Sequence, residues 1–67
     1  MRNQLIEASK AHYRSHLETH RINIEVMLNN PIAIPEHTNI MEAIEKEVAQ
    51  IAEYMDKLEV MEQFFTE

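Results

Sequence analysis

The sequence predicts an all-α protein whose two helices form an antiparallel hairpin. Apolar residues recur at intervals of three and four in two separate segments, which is the period of an α-helix. Both prolines of the chain, Pro31 and Pro35, lie between those segments and interrupt the pattern. Each segment is about 26 residues, or roughly 39 Å of helix, and a short loop between helices of equal length makes them antiparallel.

The first helix is predicted over about residues 4–29. Its apolar stripe consists of Ile6, Tyr13, Leu17, Ile24, Met27 and Leu28. Charged residues occupy the opposite face, so the segment is amphipathic and has one side to bury.

Residues of about 29–38 are predicted to form the loop. Asn29, Asn30 and Pro31 end the first helical pattern, and Pro35 precedes the second. The apolar tripeptide Ile32–Ala33–Ile34 is expected to cover the end of the helix pair.

The second helix is predicted over about residues 39–65. Asn39 and Glu42 have the spacing of a capping box at its start. Two sets of apolar residues are expected to form one seam against the first helix: Ile44, Ile51, Leu58 and Phe65, with Met41, Val48, Met55 and Met61 at neighbouring positions.

Two helices of this length bury too little surface to be stable alone. The sequence therefore predicts one domain, residues 1–67, that pairs with itself as a four-helix bundle, either a homodimer or a higher oligomer. The predicted oligomer interface is a second apolar strip with the aromatic end of the chain: Ala8, Ala11, Ile22, Val26, Phe64 and Phe65.

Composition argues against several classes of function. The 67 residues include no cysteine and no glycine and carry a net charge of −6, which leaves no thiolate metal site, no glycine-rich phosphate loop and no basic nucleic-acid surface. The N-terminus lacks a signal-peptide pattern and the longest apolar runs are three residues, so we expect no membrane partner and a cytoplasmic location. No serine or carboxylate stands in a recognisable catalytic context, so an enzyme is not expected.

Charge is divided unevenly between the two halves. Residues 1–29 have four cations and three acids, a net of +1, whereas residues 30–67 have two lysines and nine acids, a net of −7. This difference favours pairing of the two helices. It is also compatible with an acidic face for a basic partner.

Three histidines, His12, His16 and His20, follow one another at intervals of four on the first helix. That spacing brings imidazoles to one side of a helix, as in zinc sites, so a zinc site that uses all three is one interpretation. In the alternatives, the rings border the apolar stripe between core and water, or they make an interface that responds to pH. His37 lies too far beyond the loop to complete a metal site within one chain.

A second candidate site uses the cations of the same helix. Arg14, His16, His20 and Arg21 are predicted to line an edge that an oligomer would double, and such an edge would suit an anionic, nucleotide-like small ligand.

The loop Asn30-Pro31-Ile32-Ala33-Ile34-Pro35-Glu36-His37, the following Ile40-Met41-Glu42-Ala43-Ile44 and the acidic helix after it carry a resemblance. From His20 through Phe65, about two-thirds of the chain, the sequence resembles a group of short uncharacterised proteins encoded by tailed phages of marine cyanobacteria and related marine bacteria. Ala33 and Pro35 stand where that group carries glycines, so a role for loop flexibility is not carried over. The resemblance implies no activity, only a context: the cytoplasm of an infected bacterium, or the virion.

Taken together, these observations predict a non-enzymatic interaction protein that binds a host or viral protein through an exposed helix face. The alternatives are a protein that sequesters an anionic ligand at the Arg/His edge, and a metal-binding bundle.

Overall fold

The computed structural model describes residues 1–29 and 39–66, and these form two α-helices. Helix α1 spans Arg2–Asn29 and helix α2 spans Ile40–Phe64. Within the described ranges there is no β-strand, so the all-helical prediction is confirmed. Helix α1 begins two residues earlier than expected. Asn29, the first residue of the predicted loop, belongs to α1. Residues 30–38 of that loop, with its apolar tripeptide and His37, lie outside the described residues.

Contacts along the whole length show that α1 and α2 run antiparallel. Near one end, Nη1 of Arg2 donates to the carbonyl oxygen of Thr66 at 3.2 Å. Further along, Nδ1 of His20 lies 2.5 Å from Oε2 of Glu47. Residue numbers therefore rise along α1 as they fall along the facing side of α2.

Helix α2 begins at a capped terminus. Asn39 has extended backbone geometry, and its side-chain oxygen accepts hydrogen bonds from the backbone N–H groups of Met41 at 2.8 Å and Glu42 at 3.3 Å. These bonds satisfy two of the N–H groups that a helix leaves unpaired at its start. At the other end the backbone N–H of Phe65 donates to the carbonyl of Met61 and closes the last turn.

The seam between the helices differs from the predicted one in a consistent way. Four residues that the heptad pattern placed in the seam are exposed: Phe65 (47%) at the end of the hairpin, and one complete row consisting of Met41 (73%), Val48 (50%) and Met55 (57%). The row that faces α1 instead consists of Ile40, Glu47, Tyr54 and Met61, beside the half-buried Ile44, Ile51 and Leu58. Helix α2 is thus rotated by roughly 50°, one heptad row, from the orientation that apolar content alone predicts.

The hairpin is long and thin, with almost no interior. It measures 49 Å by 15 Å by 14 Å, and its radius of gyration of 15.2 Å exceeds the value of about 11 Å for a compact domain of this length. Among the described residues only Ile6 and Lys10 are buried, at 6% and 7% exposure. Neither helix is long and apolar enough to cross a lipid bilayer.

Candidate functional site

The middle of the seam contains a polar cluster. Nδ1 of His20 contacts Oε2 of Glu47 at 2.5 Å, and Nδ2 of Asn23 donates to both carboxylate oxygens of Glu47 at 3.3 and 3.4 Å. The side chains of His20 and Glu47 are each about four-fifths covered, so water is largely excluded from this contact.

Tyr54 connects that cluster to the next turn of α1. Its ring is stacked on His16, with centroids 4.9 Å apart and planes 14° from parallel, and lies 6.1 Å from the His20 ring at 15°. The Tyr13 ring packs on the Tyr54 ring with centroids 6.2 Å apart, and Nζ of Lys57 lies 4.8 Å from the centroid of the Tyr54 ring. The seam is therefore held by ring stacking and charge as well as by aliphatic packing.

The His20–Glu47 pair is expected to show strong energetic coupling. Replacing His20 by leucine leaves the largely covered Glu47 carboxylate with only Asn23 as a partner, and we expect the free energy of unfolding to fall by about 1–2 kcal/mol. Replacing both residues by leucine completes an apolar seam, so the double variant should be at least as stable as the wild type. Urea unfolding of the two single variants and the double variant, followed by circular dichroism, measures the coupling. Additive effects of the two substitutions would contradict the contact.

The four residues of the predicted anion-binding edge do not form one surface. His16 and His20 lie in the seam against Tyr54, whereas Arg14 and Arg21 are exposed and face glutamates. Arg21 donates to Glu18 through Nε at 2.9 Å and through Nη2. This hydrogen bond lowers the pKa of Glu18 and raises the pKa of Arg21. Both pairs are exposed to solvent and so add little stability.

The three histidines at intervals of four, His12, His16 and His20, are divided in the same way. The His12 and His16 rings meet edge to face with centroids 4.4 Å apart, while His20 is turned toward Glu47. In the part of the chain that the structure describes, no three histidine, aspartate or glutamate side chains are grouped so that they could hold a metal ion.

The exposed row of α2 forms what we call the open face: Met41, Val48 and Met55, together with the half-buried Ile44, Ile51 and Leu58 beside them. The members of the exposed row are seven residues apart, so they line up along one side of the helix. Sequence reasoning identified these residues as apolar seam positions. It missed that one of the two rows is left uncovered by α1.

Ion pairs show which residues of α1 border the open face. Glu62 continues the exposed row seven residues after Met55, and its Oε1 lies 3.3 Å from Nζ of Lys10 and 4.0 Å from Nη2 of Arg14. Leu17 and Ile24 follow Lys10 at intervals of seven and therefore lie on the same side of α1. Both are half-buried, so they extend the open face across the seam.

The predicted oligomer strip lies elsewhere on the hairpin. Ala8, Ala11, Ile22 and Val26 are all exposed on the part of α1 that faces away from α2. We call these four residues the α1 strip.

Phe64 and Phe65 lie at the end of the hairpin where the two chain termini meet. Phe65 lines a largely apolar cavity of about 530 Å³ there, together with Met1, Arg2, Leu5, Ile6, Ser9 and Met61. The cavity is wide open to solvent, and its lining residues carry the guanidinium of Arg2, the hydroxyl of Ser9 and the N-terminal amino group of Met1.

Comparison of the chain with family models, with curated proteins and with solved structures found no match.

Proposed function

We propose that this chain is a non-enzymatic interaction protein that works by packing its helix faces against helices of other polypeptide chains. The observation that carries the proposal is the open face. Three large apolar side chains in one heptad row are half-exposed or more, next to a second apolar row that α1 covers only in part. Helices bury such paired rows against another helix in coiled coils and bundles.

The energetic incentive for covering the open face is large relative to the stability of the hairpin. Full burial of one valine or methionine side chain contributes about 1.5–3 kcal/mol, and the exposed row offers three of them. The hairpin itself buries a single apolar residue, Ile6, among those described. Association is therefore expected to contribute as much to folding as contacts within the chain.

Two separate apolar surfaces suit a protein that pairs with itself and also binds something else. In this proposal the hairpin pairs into a four-helix bundle, and the α1 strip on the outside receives a host or viral protein. The resemblance to phage-encoded proteins supports a place in the cytoplasm of an infected bacterium or in the virion. The open, largely apolar terminal cavity supports a binding role, since binding surfaces are predominantly apolar with few polar groups.

Site-specific photo-cross-linking tests the proposal. A benzophenone amino acid at Met55 is expected to form a covalent adduct of defined mass with a neighbouring polypeptide, in cells or in the purified protein. The same group at Asp56, which is exposed on another side of α2, is the matched control. Equal yields at the two positions, or no adduct at Met55, would overturn the proposal.

A further inference from the structure

Charged rows of opposite sign border the open face on its two long edges. On the α1 edge, Arg14 lies 4.0 Å from Glu62 of the exposed row, and Arg21 follows seven residues later. On the α2 edge, Glu45 and Glu59 each follow an exposed methionine by four residues, one helical turn. All four charged residues of these edges are exposed. The arginine stretch of the α1 edge is thus basic and the α2 edge is acidic, while Glu7, seven residues before Arg14, adds an acid to the terminal end of the α1 row.

A surface that binds a copy of itself about a two-fold axis must be complementary to itself. Two such arrangements exist for face-to-face hairpins. An axis parallel to the helices lays α1 of one copy on α2 of the other, so that each basic edge meets an acidic edge. An axis across the helices lays α1 on α1, so that Arg14 and Arg21 meet their own copies and the glutamates do the same.

We propose that the open face binds a second copy of this chain about an axis parallel to the helices, with the termini of both copies at the same end of a four-helix bundle. This inference rests on the proposed function, since it names the occupant of the open face. Charge complementarity selects both the occupant and the orientation.

The register of the hairpin supports the pairing of the edges. An axis parallel to the helices keeps each residue of the second copy level with the same residue of the first. Because His20 contacts Glu47, Arg21 of the second copy comes level with the turn that contains Glu45. By the same register Arg14 of the second copy comes level with Glu53, six residues or roughly 9 Å along the axis from Glu59, a gap that the two long side chains together can span.

A charge exchange tests the orientation. The variant Arg14→Glu with Arg21→Glu places four like-charged pairs in the parallel-axis dimer, and we expect its dimer dissociation constant to rise at least about tenfold. Glu45→Arg with Glu59→Arg should weaken the dimer similarly. The quadruple variant restores opposite charges and should return to within about threefold of the wild type. Sedimentation equilibrium at low ionic strength measures all four proteins.

The control places the same kind of change away from the open face. Lys46→Glu, on the other side of α2, should leave the dissociation constant unchanged, and high salt should reduce every difference among the variants. If the quadruple variant stays as weak as the double variants, the parallel-axis arrangement is wrong. If none of the exchanges alters dimerisation, the charged edges do not meet.

A distance measurement gives an independent reading. The chain has no cysteine, so Gln4→Cys supplies a single attachment point for a spin label near the end of α1. In the parallel-axis bundle the two labels should be less than about 35 Å apart, because equivalent residues are level and bundle helices lie about 10 Å from their neighbours. Labels more than about 40 Å apart would indicate the opposite orientation and overturn the inference.

Failure of this inference can be told from failure of the proposed function. A monomeric protein whose open face cross-links to a different polypeptide at Met55 would reject the second copy and keep the interaction role. A monomeric protein without any adduct at that position would reject both.

Discussion

Replacing Val48 by glutamate is expected to weaken self-association by at least about 100-fold and leave the hairpin helical. Val48 is the middle residue of the exposed row and is half-exposed in the single hairpin, so a polar side chain there stays in water. In a two-fold dimer the substitution occurs twice. Each copy would lose about 1.5 kcal/mol or more of apolar burial and would bury a carboxylate without a partner. Sedimentation of the variant beside the wild type measures the change.

The neighbouring residue supplies a matched control. Ala49→Glu introduces the same side chain one position along, on an exposed side of α2 away from the open face. It should leave the association constant within about threefold of the wild type, because an exposed charge contributes little. Equal weakening by both substitutions would point to a general effect of negative charge on this acidic protein, against a specific role of the open face.

Replacing Tyr54 by alanine is expected to remove most of the stability of the hairpin. The Tyr54 ring packs on the rings of His16, His20 and Tyr13, and the ammonium group of Lys57 lies over its face. Losing a large, partly buried aromatic ring costs about 2–3 kcal/mol, and a hairpin with so small a core has little more to lose. The helical signal in circular dichroism should fall at 25 °C, and the thermal transition should broaden and shift downward.

Tyr54→Phe separates the ring from its hydroxyl group. The stacking and cation–π contacts of Tyr54 are made by its ring. The free energy of unfolding of the phenylalanine variant should therefore lie within about 0.5 kcal/mol of the wild-type value. A comparable loss of stability in the two variants would show that the stacking is not what holds the seam. An unchanged melting temperature for Tyr54→Ala would show that the pairing of the two helices does not depend on the contacts of Tyr54.

Much of the fold could be predicted because local signals were strong and agreed with one another. The apolar period placed both helices, and the two prolines separated them. The Asn39 cap was visible as a short polar residue directly before an amphipathic run, and the structure has its side chain on the N–H groups of Met41 and Glu42. Each of these signals acts within a few residues, so one chain is enough to read it.

The candidate site could be predicted only in part. Histidines four residues apart were expected to act together, yet His20 pairs with Glu47 and His12 meets only His16 among them. Spacing along one helix cannot say which partner the second helix offers at the same level. The open face was missed for a related reason. The row of Val48 and Met55 has the heptad spacing of a seam, and so does the row of Glu47 and Tyr54 that actually faces α1.

By itself, the sequence determined that this protein contains two amphipathic helices and that the second begins after the Asn39 cap, since helical period and capping are local properties of the chain. Only the tertiary structure decided the rotation of α2 about its axis. That rotation is a compromise between aliphatic burial, which favours Val48 in the seam, and the contacts that His20 and Tyr54 make across it. Because α1 supplies half of those contacts, the choice of the buried row, and with it the apolar face left open, follows from the pairing of the helices.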